Sequence, residues 1–140
     1  MTWLVTGGAG YIGAHVVRAF LADGIDVVVI DDLSSGKAEL VPAGVPFVQS
    51  NLLDGTAVRD ALDGVDGVVH LAGFKYAGVS VDRPLHTYTQ NVTAMVSLLE
   101  AMAEKEIRNL VFSSSAGVYG TPKDEVVTEQ KPADPQSPYG

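Results

Sequence analysis

Residues 6 to 13 read TGGAGYIG, that is Thr6-Gly7-Gly8-Ala9-Gly10-Tyr11-Ile12-Gly13, and this stretch decides the fold. A β-branched run, WLV, stands before it. After it, Ile12, Val16 and Phe20 recur every four residues until Gly24. An extended run, a glycine turn and an amphipathic helix closed by glycine form the first strand-turn-helix step of a parallel sheet.

The rest of the chain repeats that alternation. DVVVIDD, PFVQSNL, DGVVHLAG and NLVFSSS are further short apolar runs bounded by turn or acidic residues, which makes five strands. Asp54 to Leu62 predicts a short helix. Leu85, Tyr88, Val92, Val96 and Leu99 predict a longer one with Pro84 near its first turn. SSGKAELVPAGV is only weakly periodic and reads as loop with at most one turn. Nearly continuous apolar strands alternating with helices imply an α/β fold, a doubly wound parallel sheet covered on both faces, with order 3-2-1-4-5. This Rossmann core is expected over residues 1–121, followed by an irregular proline-rich segment over 122–140.

Composition narrows the function. The 140 residues are 46% apolar and 19% charged, which suits one globular domain with a real core. A net charge of -8 argues against nucleic acid or an anionic membrane as partner, because both need clustered Lys and Arg. It does not exclude a phosphorylated ligand held by backbone N–H groups. With no cysteine there is neither a disulfide framework nor a thiolate metal site. No apolar stretch reaches the roughly 18 residues of a membrane span, and the cytoplasm is the expected location.

The glycine loop has the context of a dinucleotide-binding fingerprint. Gly7 permits a tight turn, Gly10 lets backbone approach a pyrophosphate, and Gly13 lets the helix pack closely. The spacing fits two patterns, through Gly8, Gly10 and Gly13 or through Gly7, Gly10 and Gly13. The second strand ends in Asp31-Asp32, 18 residues after Gly13. A carboxylate at that tip accepts ribose hydroxyls and repels a 2'-phosphate, so NAD is expected rather than NADP. A cap or solvated loop acid suits Asp32 better than Asp31.

Taken in order, VTGGAGYIGAH, DDLSSG, HLAGFKYAGVSVDRP, QNV, LVFSSSAGVYG and SPYG resemble the extended short-chain dehydrogenase/reductase family from Thr2 to Gly140. Within it, GFKYAGVSV resembles the UDP-glucose (UDP-galactose) 4-epimerase branch. The resemblance implies that Asp31 holds the adenosine ribose and Leu52 flanks the adenine. It places Leu71-Ala72-Gly73 under the cofactor, Lys75 at its phosphate and ribose region, and Asn91 on the nicotinamide side. Ser115 would contact the sugar 4-OH, and Tyr139 would be the acid/base of a Tyr-x-x-x-Lys motif. Tyr11, Ile12, Asp32, Asn51 and Ser113 complete the expected cofactor-binding set. Asn51 stands where the family usually has an Asp, and Gly117 where it has a hydroxyl residue or alanine. The implied reaction oxidises a UDP-sugar at C4 with NAD and returns the hydride to the other face of the 4-keto sugar.

A phenol ionises near pH 10, so the tyrosine needs a cation to work at neutral pH, and the family's Lys follows it by four residues. The sequence ends at Gly140. The chain is therefore expected to stop before the last strands and the substrate domain, and to be inactive by itself. NLVFSSS would then be an open sheet edge prone to self-association. Two alternatives are another extended family member, such as a sugar-nucleotide dehydratase, and a non-catalytic NAD-binding module. The dehydratase reading lacks a carboxylate, since Ser115 is followed by Ala116 and Gly117.

Other polar residues read as ordinary. His70 ends an apolar strand and suits a satisfied core histidine. His15 and His86 lack partners at ligand spacing, so no metal is expected. Ser113 and Ser114 suit strand-end backbone contacts, Tyr119 suits packing, and Asp124, Glu125 and Glu129 suit a solvated loop.

Overall fold

The computed structural model describes residues 1–122 and 126–140, so Asp124 and Glu125 lie outside the described residues. The described residues fall into two units, Met1–Gly73 with Ala94–Ser113 and Phe74–Thr93 with Ser114–Gly140.

The first unit is the sheet and its cover. Strands β1 (Thr2–Thr6), β2 (Asp26–Asp31), β3 (Phe47–Gln49), β4 (Gly67–His70) and β5 (Asn109–Phe112) lie in the order β3-β2-β1-β4-β5. All pairs are parallel, with Leu4 opposite both Val28 and Val68. This is the doubly wound Rossmann order read from the sequence. Helices α1 (Tyr11–Ala22), α2 (Gly55–Ala61) and α5 (Ala94–Glu104) belong to the same unit.

Alternation along each strand sends neighbours to opposite faces, and both faces are buried at the central strands β1, β2 and β4. Leu4, Ile30 and Val68 join Val58 and Leu62 of the α2 region and Leu98 and Met102 of α5 in one core. Val5, Val29 and Val69 join Val17 of α1 in the other, with Trp3 and Phe20 packed against it. Full burial of a side chain such as Leu4, Ile30 or Leu98 contributes about 2 kcal/mol. Gly67 is dictated by that packing, because a Cβ there would lie 2.8 Å from the Trp3 ring.

The helix ends follow local chemistry. Asp54 caps α2 by accepting the N–H groups of Thr56 at 3.1 Å and Ala57 at 3.2 Å. Gly24, with φ of 72°, ends α1, and the Ile25 N–H returns to the Phe20 carbonyl at 2.9 Å. The weakly periodic stretch holds one 3-10 turn, Ala38–Leu40.

Two helical faces differ from the sequence reading. Ile12 is 61% exposed, while Val16 and Phe20 of the same row pack against the core beside buried Gly13, Ala14 and Val17. The expected long helix is divided into α4 (Pro84–Tyr88), a π turn (Thr89–Thr93) and α5, and a further short helix, α3 (Ala77–Asp82), precedes Pro84 where the sequence reading placed none. Leu85, Tyr88, Val92, Val96 and Leu99 are all exposed, while Thr87, Ala94, Leu98, Ala101 and Met102 are buried. Both sets repeat at helical spacing, so periodicity alone could not choose the inward one. Small residues such as Ala94 and Ala101 let α5 approach closely.

The second unit holds α3, α4, the π turn, a 3-10 turn over Ala116–Tyr119 and irregular backbone. Thr87 and Thr89 return their hydroxyls to the carbonyls of Arg83 and Leu85, 3.1 and 2.9 Å away. Gly120 adopts φ of 65°, and a Cβ there would strike the Asp134 carbonyl oxygen. The Asp134 N–H binds the Val118 carbonyl at 2.9 Å, tying the proline-rich segment to the 3-10 turn.

Candidate functional site

In the first unit the glycine loop connects β1 to α1, and steric fit shows what each glycine of its two overlapping patterns does. Gly7 has φ of 71°, and a Cβ there would lie 2.8 Å from the Ala72 nitrogen. At Gly8 a Cβ would meet the Val29 side chain at 2.7 Å. At Gly13 it would meet the Gly7 carbonyl oxygen at 2.1 Å. All three are enforced by neighbouring chain, so both readings of the triplet contain real constraints. Gly10 differs: its nearest neighbour would be the Gly7 oxygen at 3.2 Å.

Gly10 is also the N-cap of α1, in extended backbone, with no capping side chain and no acid in the first turn. Tyr11 and Ile12 beside it are exposed. A helix start left open in this way offers N–H groups and partial positive charge to an outside anion. The loop therefore fits a diphosphate.

The β2 tip supplies the acids. Asp31 is buried and takes two backbone N–H groups, from Ala9 at 3.0 Å and from Leu33 at 2.8 Å. It thereby ties the glycine loop to the turn after β2. Gly36 completes that tie, since a Cβ there would lie 3.0 Å from both Ala9 and the Asp31 carboxylate. The sequence reading gave Gly36 no role; the signal for it was its place in DDLSSG, behind the acids. Asp32 is exposed and accepts the Ser34 N–H and the Asn51 side-chain amide, both at 2.8 Å. Partial burial raises the Asp32 pKa, but the bonds from Ser34 and Asn51 outweigh it and hold the carboxyl below its ordinary value. Asn51 accepts the Leu53 N–H through Oδ1 at 3.0 Å. Leu52 is buried in the core cluster with Leu4 and Ile30.

The Leu71-Ala72-Gly73 turn is fastened from beneath by Thr6. Its Oγ1 accepts the N–H groups of Leu71 at 3.1 Å and Ala72 at 3.2 Å. Buried His70 has its Nδ1 2.8 Å from the same oxygen and stacks on Phe112. Burial pushes the His70 pKa down to about 4, so the ring is the neutral, satisfied core histidine that its position suggested. Ser113 binds the His70 carbonyl through its N–H at 3.2 Å, a strand-end contact.

The second unit carries the remaining expected residues. Lys75 is exposed, between Phe74 and α3. Asn91, inside the π turn, holds the Phe74 backbone from both ends of its amide. Oδ1 accepts the Phe74 N–H at 2.7 Å and Nδ2 donates to the Phe74 carbonyl at 3.0 Å. A π turn at such a residue is a frequent mark of a functional site. Ser115 caps the 3-10 turn by accepting the Gly117 N–H at 3.0 Å. Tyr139 is half-buried, and a Cβ added at Gly117 would lie 3.6 Å from its ring. Its backbone N–H binds the Ser80 hydroxyl, a partner that no motif in the sequence announced.

Among the described residues no group of three or more His, Cys, Asp or Glu could hold a metal ion, and no helix is long and apolar enough to cross a membrane. Residues 3–140 match the profile of the NAD dependent epimerase/dehydratase family. A UDP-glucose 4-epimerase from Lactobacillus helveticus is 44% identical over all of this chain and 43% of its own length. The structure of a Thermus thermophilus UDP-glucose 4-epimerase complexed with NAD is 41% identical, with a TM-score of 0.92 over 99% of this chain and 46% of that one. A Bifidobacterium longum UDP-glucose 4-epimerase with NAD+ and UDP is 32% identical, with a TM-score of 0.92 over 99% of this chain and 44% of that one. The chain thus spans less than half the length of these relatives.

Proposed function

The chain belongs to the NAD dependent epimerase/dehydratase family, and from that premise we propose that it carries the NAD-binding and proton-transfer residues of a UDP-glucose/UDP-galactose 4-epimerase. The observation that carries the reading is Gly10 as the bare N-cap of α1, next to the carboxylates at the β2 tip. The preference for NAD over NADP is supported by the two carboxylates, Asp31 and Asp32, at the β2 tip, which repel a 2'-phosphate.

In this reading Tyr11, Ile12 and Gly13 offer the diphosphate the first backbone N–H groups of α1, while Gly7 and Gly10, whose own N–H groups bind the Ile30 and Gly7 carbonyls, shape the turn beside it. Asp31 and Asp32 accept from the adenosine ribose, with Asn51 and Leu52 on the adenine side. Leu71, Ala72 and Gly73 form the floor, and Lys75, Asn91 and Ser113 complete the cofactor set. NAD, when bound, supplies a reversible acceptor for the hydride at sugar C4. The Ser115 hydroxyl hydrogen-bonds the sugar 4-OH, and the Tyr139 phenol oxygen takes and returns its proton. Phenols are weak bases at neutral pH, so Tyr139 requires a nearby cation. The cytoplasm and the interconversion of galactose and glucose nucleotides are the setting proposed for this chemistry.

NAD titration of the isotope-labelled chain tests the cofactor half. Amide signals from Gly7 to Gly13 and at Asp31 shift with NAD and not with NADP at equal concentration; unchanged signals with NAD would refute the assignment. The acid/base half is tested in protein that extends through the family's lysine. There Tyr139→Phe lowers UDP-galactose turnover by at least about 100-fold, the lower range for a lost general base. The 140 residues by themselves give no turnover above a Tyr139→Phe control.

A second copy of the chain is the partner proposed for the outer edge of β5. Val111 and Phe112 there are 53% and 56% exposed, and an apolar parallel edge is a template for further pairing. Light scattering at rising concentration reads it, and a monodisperse monomer rejects it.

A further inference from the structure

We propose that Ser80 is a positioning residue for Tyr139, fixing the backbone from which the phenol projects. The inference rests on the acid/base assignment of Tyr139 made above. Ser80 lies on α3, 59 positions before the tyrosine, and it is fully buried. Its hydroxyl donates to the Ala77 carbonyl at 2.6 Å and accepts the Tyr139 N–H at 3.2 Å. Each bond has a separate job. Donation to Ala77 fixes the direction of the hydroxyl and polarises the oxygen, which strengthens it as an acceptor. Acceptance from Tyr139 then fixes one peptide plane.

Among the described residues, the neighbours of Tyr139 in the chain add little hydrogen bonding. The preceding residue, Pro138, has no N–H to donate. The following one, Gly140, reaches the Ser137 hydroxyl at the longer distance of 3.3 Å. Gly140 packs on Gly117, where a Cβ on Gly140 would lie 2.6 Å from the Gly117 oxygen, a contact that limits position without orienting the Tyr139 N–H. The Ser80 bond is thus the contact that orients the Tyr139 peptide. A proton-transfer group displaced by even an ångström loses much of its rate.

Amide hydrogen exchange on the labelled 140-residue chain tests this without using turnover. In Ser80→Ala the Tyr139 amide exchanges about tenfold faster, the change expected from losing one hydrogen bond of ordinary strength, while the Val5 and Val69 amides keep their protection. Ser80→Thr, which retains the acceptor, returns the Tyr139 rate toward the parent value. An unchanged Tyr139 rate in Ser80→Ala, with those core amides still protected, overturns the proposal. If Ser80→Ala loses core protection, Ser80→Thr and Ser80→Cys are compared instead. Faster exchange in the weakly accepting cysteine variant supports the assignment, and equal rates overturn it. Failure of the Tyr139→Phe turnover test would remove the acid/base reading and leave the exchange result intact, so the two failures are told apart.

Discussion

The Thr6 hydroxyl lies 2.8 Å from His70 Nδ1 while accepting two backbone N–H groups from Leu71 and Ala72. A hydroxyl has one proton, and both N–H groups can only donate to it. Thr6 therefore donates to Nδ1, and the neutral ring carries its proton on Nε2. A charged imidazole would present a proton at Nδ1 to an oxygen already accepting twice. Geometry and burial thus agree on a neutral ring.

That agreement makes stability depend on pH. His70 is depressed from an ordinary 6.5 to about 4 in the fold, so the unfolded chain binds the proton first as pH falls. Its contribution is fully present above pH 6.5 and is lost as pH drops toward 4. The total is roughly 3 kcal/mol at one pKa unit per 1.4 kcal/mol. Urea denaturation across this window should show the loss in the parent and a shallower slope in His70→Asn. Equal slopes would contradict a neutral buried ring.

Removing the Thr6 hydroxyl leaves the Ala72 N–H and His70 Nδ1 without their partner. Thr6→Val should cost about 2–3 kcal/mol, the penalty of stranded polar groups, while Thr6→Ser should cost under about 1 kcal/mol. Thermal unfolding separates the two, and Leu71–Gly73 amide exchange should accelerate only in the valine variant.

Two glycines of the loop should fail in different ways. Gly13→Ala drives a Cβ into the Gly7 carbonyl, so stability falls by about 3 kcal/mol or more. Gly10→Ala meets only a 3.2 Å neighbour and has an ordinary negative φ. It should change stability by less than about 1 kcal/mol yet weaken NAD binding by about tenfold or more, as obstruction of one close contact does. Calorimetric NAD titration beside thermal melts would show whether the effects part in this way.

The Asn51 amide donates to Asp32, so Asn51→Asp sets two carboxylates against each other. Asp32 is exposed and water screens the repulsion, which limits the loss to about 1 kcal/mol near pH 7. It should vanish below about pH 4, where one carboxyl is protonated. Denaturation midpoints at the two pH values check the sign.

Local pattern carried the strands, the closing Gly24, the α2 helix and the sheet order, because each follows from neighbouring residues or from the fixed hand of parallel crossovers. It carried the glycine loop and the acids for the same reason. The turn at Gly7 and the close packing at Gly13 were legible, but the partners that enforce them were not. Gly8 is held by Val29 and Gly13 by Gly7, contacts made only when separate segments close on one another.

The helix between β4 and β5 shows the limit most clearly. Its apolar period was real, but Leu85, Tyr88, Val92, Val96 and Leu99 are exposed, and a π turn interrupts the run at Asn91. A repeating pattern specifies a helix without specifying which of two periodic faces packs. The amide of Asn91 is committed to Phe74 and the hydroxyl of Ser80 to Tyr139, across 17 and 59 positions of chain. Residue order thus determined the strand sequence and the kinds of chemical group present. Only tertiary structure decided which of those groups hold one another, because a hydrogen bond between distant residues depends on the whole path of the chain between them.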